Sequence, residues 1–144
     1  MGAEIRHVAR EEWAATVRAL RDEGYLMLTD LTAVDYLSHG NRVLPDDVVP
    51  ERFEVVAGVL DLNERRRLRL RAQVPAAEPR IESLFAVHPG AEALEREVFD
   101  MFGITFDGHP DLTRILMPED WEGYPLRKDY AIGRIPVQFK AAPR

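Results

Sequence analysis

The sequence predicts a two-layer α+β domain, in which a mostly antiparallel sheet carries two main helices on one face and an irregular, extended arm follows at the C-terminus. Two stretches have apolar residues at helical spacing, and several others have the apolar, β-branched character of strands. Residues 104–144 show neither pattern clearly. A chain of 144 residues has the size of one ordinary domain. We therefore expect an α+β domain over residues 1–117 and an arm over residues 118–144.

The N-terminal part predicts a short strand over residues 4–8 and a helix over residues 10–23. Trp13, Val17 and Leu20 recur at i, i+4 and i+7, and Gly24 is suited to end the helix. The stretch "YLMLTDLTAVDYL" then predicts a strand, and the polar, turn-rich "SHGNRVLPDDVVPER" predicts a long loop.

A β-hairpin is predicted by "FEVVAGVLDL" and "RLRLRAQV", which are separated by a short polar turn. In the second strand Arg67, Arg69 and Arg71 alternate with apolar residues, so they share one face, away from the core. This face either docks an acidic partner or nucleic acid, or is solvated and paired with acids such as Glu54. The overall acidity favours the solvated face.

The second helix is predicted over Ala91 to Phe102, and Gly103 is suited to its C-terminal end. Residues 104–144 contain five of the ten prolines together with five aromatic residues. Such a segment cannot build a core of its own, so we expect it to lie over the domain or along a partner. For residues 118–144 we expect a partner-bound arm.

Composition excludes several classes of protein. The chain has no cysteine, so it can form neither a disulfide nor a thiolate-ligated cluster or zinc site. A net charge of -6 argues against nucleic-acid binding, which needs clustered cations. No stretch is apolar enough to span a bilayer, and the N-terminus lacks the features of a presequence, so we expect a cytoplasmic location.

The acidic helix raises the question of a metal site formed by Glu95, Glu97, Asp100 and His109. Carboxylate metal sites in helical bundles use Glu-x-x-His pairs on one helix face, and these residues lack that spacing. On a helix Glu95 and Glu97 point about 200° apart, so they cannot hold one ion. We favour ion pairs of Arg96 with Glu92 and with Asp100 along an exposed face.

His109 lies in an "HPD" tripeptide that is similar to the one in co-chaperone J-domains, but the helix before it is acidic rather than basic. No serine or cysteine nucleophile accompanies this histidine in a recognisable motif. A structural hydrogen bond is therefore the better interpretation. Neither a G-x-G-x-x-G fingerprint nor a phosphate-binding loop is present.

Residues 94–130 carry a specific resemblance. The stretch "LEREVFDMFGITFDGHPDLTRIL", followed by "MPEDWEGYPLRKDY", resembles without a gap the signature of the thirty-kilodalton subunit family of the proton-pumping NADH:quinone oxidoreductase, respiratory complex I. "LTDLTAVDYL" and "FEVVAGVLDLNERRRLRLRAQVP" are similar to that family's earlier strand and central hairpin. Glu92, Ala93, Thr113 and Tyr124 depart from its commonest residues.

The resemblance implies a non-catalytic subunit of the peripheral arm that binds no cofactor itself, while NAD, FMN, iron-sulfur clusters and quinone belong to the whole complex. It implies packing against the hydrogenase-like large subunit near the quinone site, with iron-sulfur subunits as neighbours, on the cytoplasmic side of the inner membrane. The signature positions, which we assign to the fold or to a subunit interface, are Glu95, Arg96, Glu97, Asp100, Gly103, His109, Pro110, Arg114, Arg127, Lys128 and Asp129.

Other functions remain open from the sequence. Related subunits occur in membrane-bound hydrogenases and in deazaflavin-coenzyme and plastoquinone enzymes, so the electron donor is not fixed by the motif. A free-standing enzyme using His109 and nearby carboxylates, or a J-like binding module, is a more distant alternative.

Overall fold

The computed structural model describes residues 2–131 and confirms the α+β class. Its elements in chain order are β1 (Glu4–His7), α1 (Trp13–Asp22), β2 (Met27–Asp35), β3 (Phe53–Asp61), β4 (Arg66–Val74), β5 (Arg80–Glu82), α2 (Ala91–Phe102) and β6 (Thr105–Asp107). Strands β1, β4, β3 and β2 form the main sheet in that order. The pairs β2–β3 and β3–β4 are antiparallel, and β1 is parallel to β4.

The core lies between the inward face of this sheet and the two helices. Alternate residues of β3 and β4 point inward and are buried, as the strand period of two requires. Helix α1 contributes Trp13, Val17 and Leu20, and α2 contributes Val98 and Phe102, to the same buried cluster. Each large apolar side chain buried in this way contributes roughly 1.5–3 kcal/mol. The two-layer arrangement follows from these paired apolar faces.

The helices agree closely with their predicted bounds. Helix α2 spans Ala91–Phe102 as predicted, and Gly103 has the left-handed φ of 72° that suits the residue after a helix. The helix predicted over residues 10–23 begins with a short 3-10 turn, Arg10–Glu12, before the α-helix proper. The N-terminal strand and both strands of the hairpin lie where the alternation predicts them.

Strands β5 and β6 form a second, two-stranded parallel sheet that the sequence does not predict. Each has three residues, and their pairing joins chain segments that are more than twenty residues apart. Ile81 and Phe106 at its centre are buried. Local periodicity cannot reveal so short a non-local pair.

The predicted division into residues 1–117 and 118–144 stays a prediction. Residues 118–131 are described and contact the domain, as set out below. The remainder of the predicted arm, residues 132–144, lies outside the described residues.

Candidate functional site: the anchored C-terminal segment

Residues 111–131, here called the C-terminal segment, have no helix or strand but are joined to the domain by two buried carboxylates. The first is Asp100, in the last turn of α2. Its Oδ2 accepts hydrogen bonds from the backbone N–H groups of Ile115, Leu116 and Met117 at 3.0, 2.7 and 2.9 Å. Its Oδ1 lies 2.8 Å from a guanidinium nitrogen of Arg114. One side chain therefore satisfies four donors of the segment.

The ionised form of Asp100 is the stable one in this setting. Burial alone raises the pKa of a carboxyl group, but the three N–H donors and Arg114 outweigh burial and lower the pKa of Asp100 below its usual value. The Arg114 guanidinium also donates to the carbonyl of Gly123 at 2.8 Å. Arg114 thus connects α2 to a more distant part of the segment.

The second buried carboxylate is Asp35, the last residue of β2. Arg52 donates to both of its oxygens, at 3.0 and 2.9 Å, and the backbone N–H of Lys128 donates to Oδ2 at 2.9 Å. Arg52 also binds Asp129 at 2.8 Å. Burial raises the pKa of Asp35, but these bonds and the N–H of Leu37 lower it to about 2. Asp35 and Arg52 therefore fix residues 128–129 to the end of the sheet.

Between these two anchors the segment covers the C-terminal end of α2. The Arg127 Nε donates to the carbonyl of Phe102 at 2.6 Å, and the N–H of Leu126 donates to the carbonyl of Met101 at 3.0 Å. These carbonyls belong to the last turn of the helix, where no intrahelical partner exists. The Arg127 guanidinium lies 4.7 Å from the ring centroid of Tyr124. The segment therefore caps the helix from outside.

Gly103, which follows α2, lies directly against the C-terminal segment. A Cβ at this position would lie 2.6 Å from the Tyr124 ring and 2.7 Å from the Arg127 guanidinium. The positive φ of Gly103 adds a second reason for glycine. The steric contact and the backbone conformation both therefore require glycine at this position.

Glu95 is fully buried on the inner side of α2, where it binds the turn after β5. Its carboxylate accepts from the Ser83 hydroxyl and from the Leu84 N–H, both at 2.6 Å. Burial raises the pKa of Glu95 in spite of these two bonds. The sequence places Glu95 among fold or interface residues but gives no sign that it is buried, since its partners lie outside the helix.

The predicted ion pair of Arg96 with Asp100 is wrong. Asp100 points inward to Arg114, while Arg96 lies 3.4 Å from Glu92 and donates to the carbonyls of Thr113 and Arg114 at 3.1 and 3.2 Å. The i,i+4 spacing is right for both pairs, but the three N–H groups near Arg114 compete for Asp100 and Arg96 cannot match them. Arg96 instead binds the C-terminal segment directly.

Both ring nitrogens of His109 make hydrogen bonds to the backbone. Its Nε2 donates to the carbonyl of Glu92 at 2.9 Å, and its Nδ1 accepts from the N–H of Asp111 at 3.0 Å. Both ring nitrogens are therefore used to hold the turn before the C-terminal segment. Within residues 2–131 no group of three or more His, Asp or Glu residues has a geometry that could hold a metal ion.

The other signature residues are spread over the surface of this region. Glu97, Pro110, Lys128 and Asp129 are exposed, and Arg114 and Arg127 are partly buried. Sequence reasoning misses the apolar side chains that the segment exposes, which are 41%, 62% and 50% accessible at Ile115, Leu116 and Leu126. The signal that could have found them is their position beside charged signature residues. A cavity of about 540 Å³ opens elsewhere, between the end of β1 and residues 47–51, and no residue of this site lines it.

Comparison with known proteins identifies the family. A model of the respiratory-chain NADH dehydrogenase 30 kDa subunit matches residues 6–135. The chain belongs to this family. An NADH-quinone oxidoreductase subunit of Acidothermus cellulolyticus is 45% identical over 94% of the chain and 68% of its own length. The corresponding subunits of Saccharopolyspora erythraea and Salinispora arenicola are each 42% identical over 94% of the chain.

Solved structures agree with the fold. A trypsin-resistant fragment of Nqo5 has a TM-score of 0.68 at 33% identity, over 75% of this chain and 81% of the fragment. A chain of the membrane-bound sulfane sulfur reductase, an archaeal respiratory membrane complex, has a TM-score of 0.75 at 20% identity, over 99% of this chain and 84% of that one, a similarity of fold alone. This chain spans about half the length of the relatives from Saccharopolyspora and Salinispora, at 52% and 53%.

Across residues 2–131, none of the helices combines the length and the apolar character needed to cross a membrane.

Proposed function

We propose that this chain is a non-catalytic peripheral-arm subunit of a proton-pumping NADH:quinone oxidoreductase, and that its C-terminal segment packs against the hydrogenase-like large subunit near the quinone site. NAD, FMN, iron-sulfur clusters and quinone are then bound by other subunits. The chain reaches the cytoplasmic side of the inner membrane through these partners, which include iron-sulfur subunits.

One observation carries the proposal. The C-terminal segment is bound by Asp35 and Asp100 through hydrogen bonds, and in this arrangement Ile115, Leu116 and Leu126 are exposed to solvent. Exposing large apolar side chains to water is unfavourable, and a rigid segment that does so is typical of a preformed interface. The charged residues around it, Lys128 and Asp129 among them, suit the polar rim of such an interface.

Family membership supports the kind of partner. The three relatives named above are NADH-quinone oxidoreductase subunits, which favours this complex over the related hydrogenases and deazaflavin-coenzyme enzymes. The use of both His109 ring nitrogens in structural bonds gives no support to a free-standing histidine enzyme.

Co-purification tests the interface. The chain is co-expressed with a tagged hydrogenase-like large subunit from the same organism, as wild type and with Leu116→Asp and Leu126→Asp combined. We expect recovery with the large subunit to fall at least about tenfold, because charges placed in an apolar contact are not compensated.

The control variant is Val43→Asp, which changes another apolar side chain that is 97% exposed, in the loop between β2 and β3. It should co-purify as the wild type does, and circular dichroism should show all three chains folded. Equal recovery of the double variant and the wild type would contradict the proposed interface.

A further inference from the structure

The outward face of the main sheet carries a second surface, on the side away from the helices and the C-terminal segment. The strand register places Ile5, Arg69, Gly58 and Asp30 in one row across all four strands. Arg67 lies two residues before Arg69 on the same face of β4. No layer of the described residues covers this row, and Arg67, Arg69 and Asp30 are exposed.

A groove of about 320 Å³ lies at this row, over parts of β2, β3 and β4. Its floor is formed by Val56 and Gly58, and Arg67 and Arg69 line one side. A Cβ at position 58 would lie 2.7 Å from the Thr29 hydroxyl oxygen, so the absence of a side chain here leaves room for Thr29.

The charge of this surface is opposite to that of the chain as a whole. The neighbouring arginines of β4 are neutralised, since Arg66 lies 2.7 Å from Asp61 and Arg71 lies 3.7 Å from the buried Glu54. Arg67 and Arg69 have no carboxylate partner among residues 2–131. In a chain of net charge -6 they form a local positive surface beside an apolar floor.

We propose that this groove binds an extended, acidic segment of another protein chain. Residues i and i+2 of an extended segment point the same way and are about 6.6 Å apart, which matches the spacing of Arg67 and Arg69 along β4. Each guanidinium can bind a carboxylate with two parallel hydrogen bonds. An Asp or Glu at every second position therefore matches the two arginines, and the backbone N–H groups of the bound segment can donate to Asp30.

Protein is a better match than nucleic acid. A nucleic acid presents many phosphates, and the carboxylate of Asp30 in the same row, with the net charge of -6, repels such a polyanion. An acidic peptide brings only a few charges and can place side chains on the apolar floor. Arginine beside apolar surface is also typical of the centre of protein interfaces.

A defined peptide tests this proposal on the full chain. The probe is a fluorescein-labelled peptide of alternating Glu and Ser, and its affinity is measured by anisotropy at about 50 mM salt. We expect Arg67→Glu and Arg69→Glu each to weaken binding at least about fivefold, because each replaces an attraction by a repulsion. The matched control is Arg18→Glu, on the exposed face of α1, which alters the net charge equally and should stay within about twofold of the wild type.

Three further probes test whether the groove prefers another kind of ligand. They are a Gln-Ser peptide, phosphatidylglycerol vesicles and single-stranded DNA. Each should bind more weakly than the Glu-Ser peptide and show no dependence on Arg67 and Arg69. The proposal is overturned by absent binding of the Glu-Ser peptide, by equal weakening in all three variants, or by tighter binding of vesicles or DNA through the same arginines. It is also overturned if sedimentation shows a dimer that Arg69→Glu dissociates, because the occupant is then a second copy of this chain.

Discussion

At the scale of single residues, the buried carboxylates fall into two groups, because the pKa is lowered in Asp35 and Asp100 and raised in Glu95. Asp35 and Asp100 are buried, but each accepts four hydrogen bonds, at least one of them from an arginine, so their ionised forms are favoured. Glu95 is buried with two uncharged donors, and its ionised form is disfavoured. The number and charge of the donors, rather than burial alone, decides which carboxylates can hold the C-terminal segment in place.

This difference predicts a pH dependence for Asp35. Its pKa is about 2 in the folded chain, below the usual 3.8, so its contribution to stability is complete above about pH 4 and is lost as the pH falls through 2. Asp35→Asn should therefore lower the free energy of unfolding by about 2 kcal/mol at pH 7. Urea unfolding from pH 7 to pH 2.5 measures it, and the gap between variant and wild type should narrow below pH 4.

Asp46→Asn is the control, because Asp46 is exposed in the loop between β2 and β3. Its unfolding free energy should stay within about 0.5 kcal/mol of the wild type at every pH. A gap for Asp35→Asn that is independent of pH would contradict the role of its charge.

At the scale of elements, the end of α2 is the part that the C-terminal segment completes. Gly103 has a φ of 72° and lies against Tyr124 and Arg127, whereas Gly108 has a φ of 83° and no atom near its missing Cβ. A substitution at either glycine would strain the backbone, but only a substitution at Gly103 would also clash with neighbouring side chains.

Alanine substitutions separate these two costs. Gly108→Ala should lower the free energy of unfolding by about 1–2 kcal/mol through its left-handed φ. Gly103→Ala should lower it by a further 1–3 kcal/mol, roughly, because Tyr124 and Arg127 must move. Chemical denaturation of the two variants beside the wild type measures the difference. Equal losses would show that the segment does not press on this glycine.

The elements also show what sequence can and cannot predict. Helix α2 is predictable to the residue because its apolar spacing and Gly103 are local signals. The pairing of β5 with β6 escapes prediction because it joins segments that are distant in the sequence. The partner of Asp100 is misassigned for the same reason: Arg114 and the N–H groups of residues 115–117 compete from outside the helix. The exposure of Arg67 and Arg69, by contrast, follows directly from the alternation of polar and apolar residues within β4.

At the scale of the whole molecule, the main sheet separates two surfaces. The C-terminal segment is attached at the end of α2 on the helix side, and the groove at Gly58 lies on the outward side. The two surfaces therefore do not overlap, and one chain could contact two partners at once. Variants in either surface should leave the other unaffected.

Truncation tests the segment as a unit. Two chains are compared, one lacking residues 119–144 and one lacking residues 132–144, which keeps Arg127, Lys128 and Asp129 with their bonds to Phe102, Asp35 and Arg52. We expect the longer deletion to be less stable than the shorter by about 2–4 kcal/mol, since several partly buried hydrogen bonds are lost.

Circular dichroism should be largely retained in both, because every helix and strand of the described residues ends before residue 108. The chain lacking residues 119–144 should also lose co-purification with the hydrogenase-like large subunit. Unchanged association would show that the interface lies elsewhere.

The charges in the last turn of helix α2 also predict when this part of the chain folds. Its C-terminal half carries Glu97 and Asp100 and no basic residue in the last turn, so its charges oppose the helix dipole. The compensating cations come later in the chain: Arg114 lies fourteen residues after its partner Asp100, and Arg127 lies twenty-five residues after its partner Phe102. The final turn of α2 and the turn at residues 114–117 are therefore unstable separately and stabilise each other through these contacts. We expect them to form in a single cooperative step late in folding.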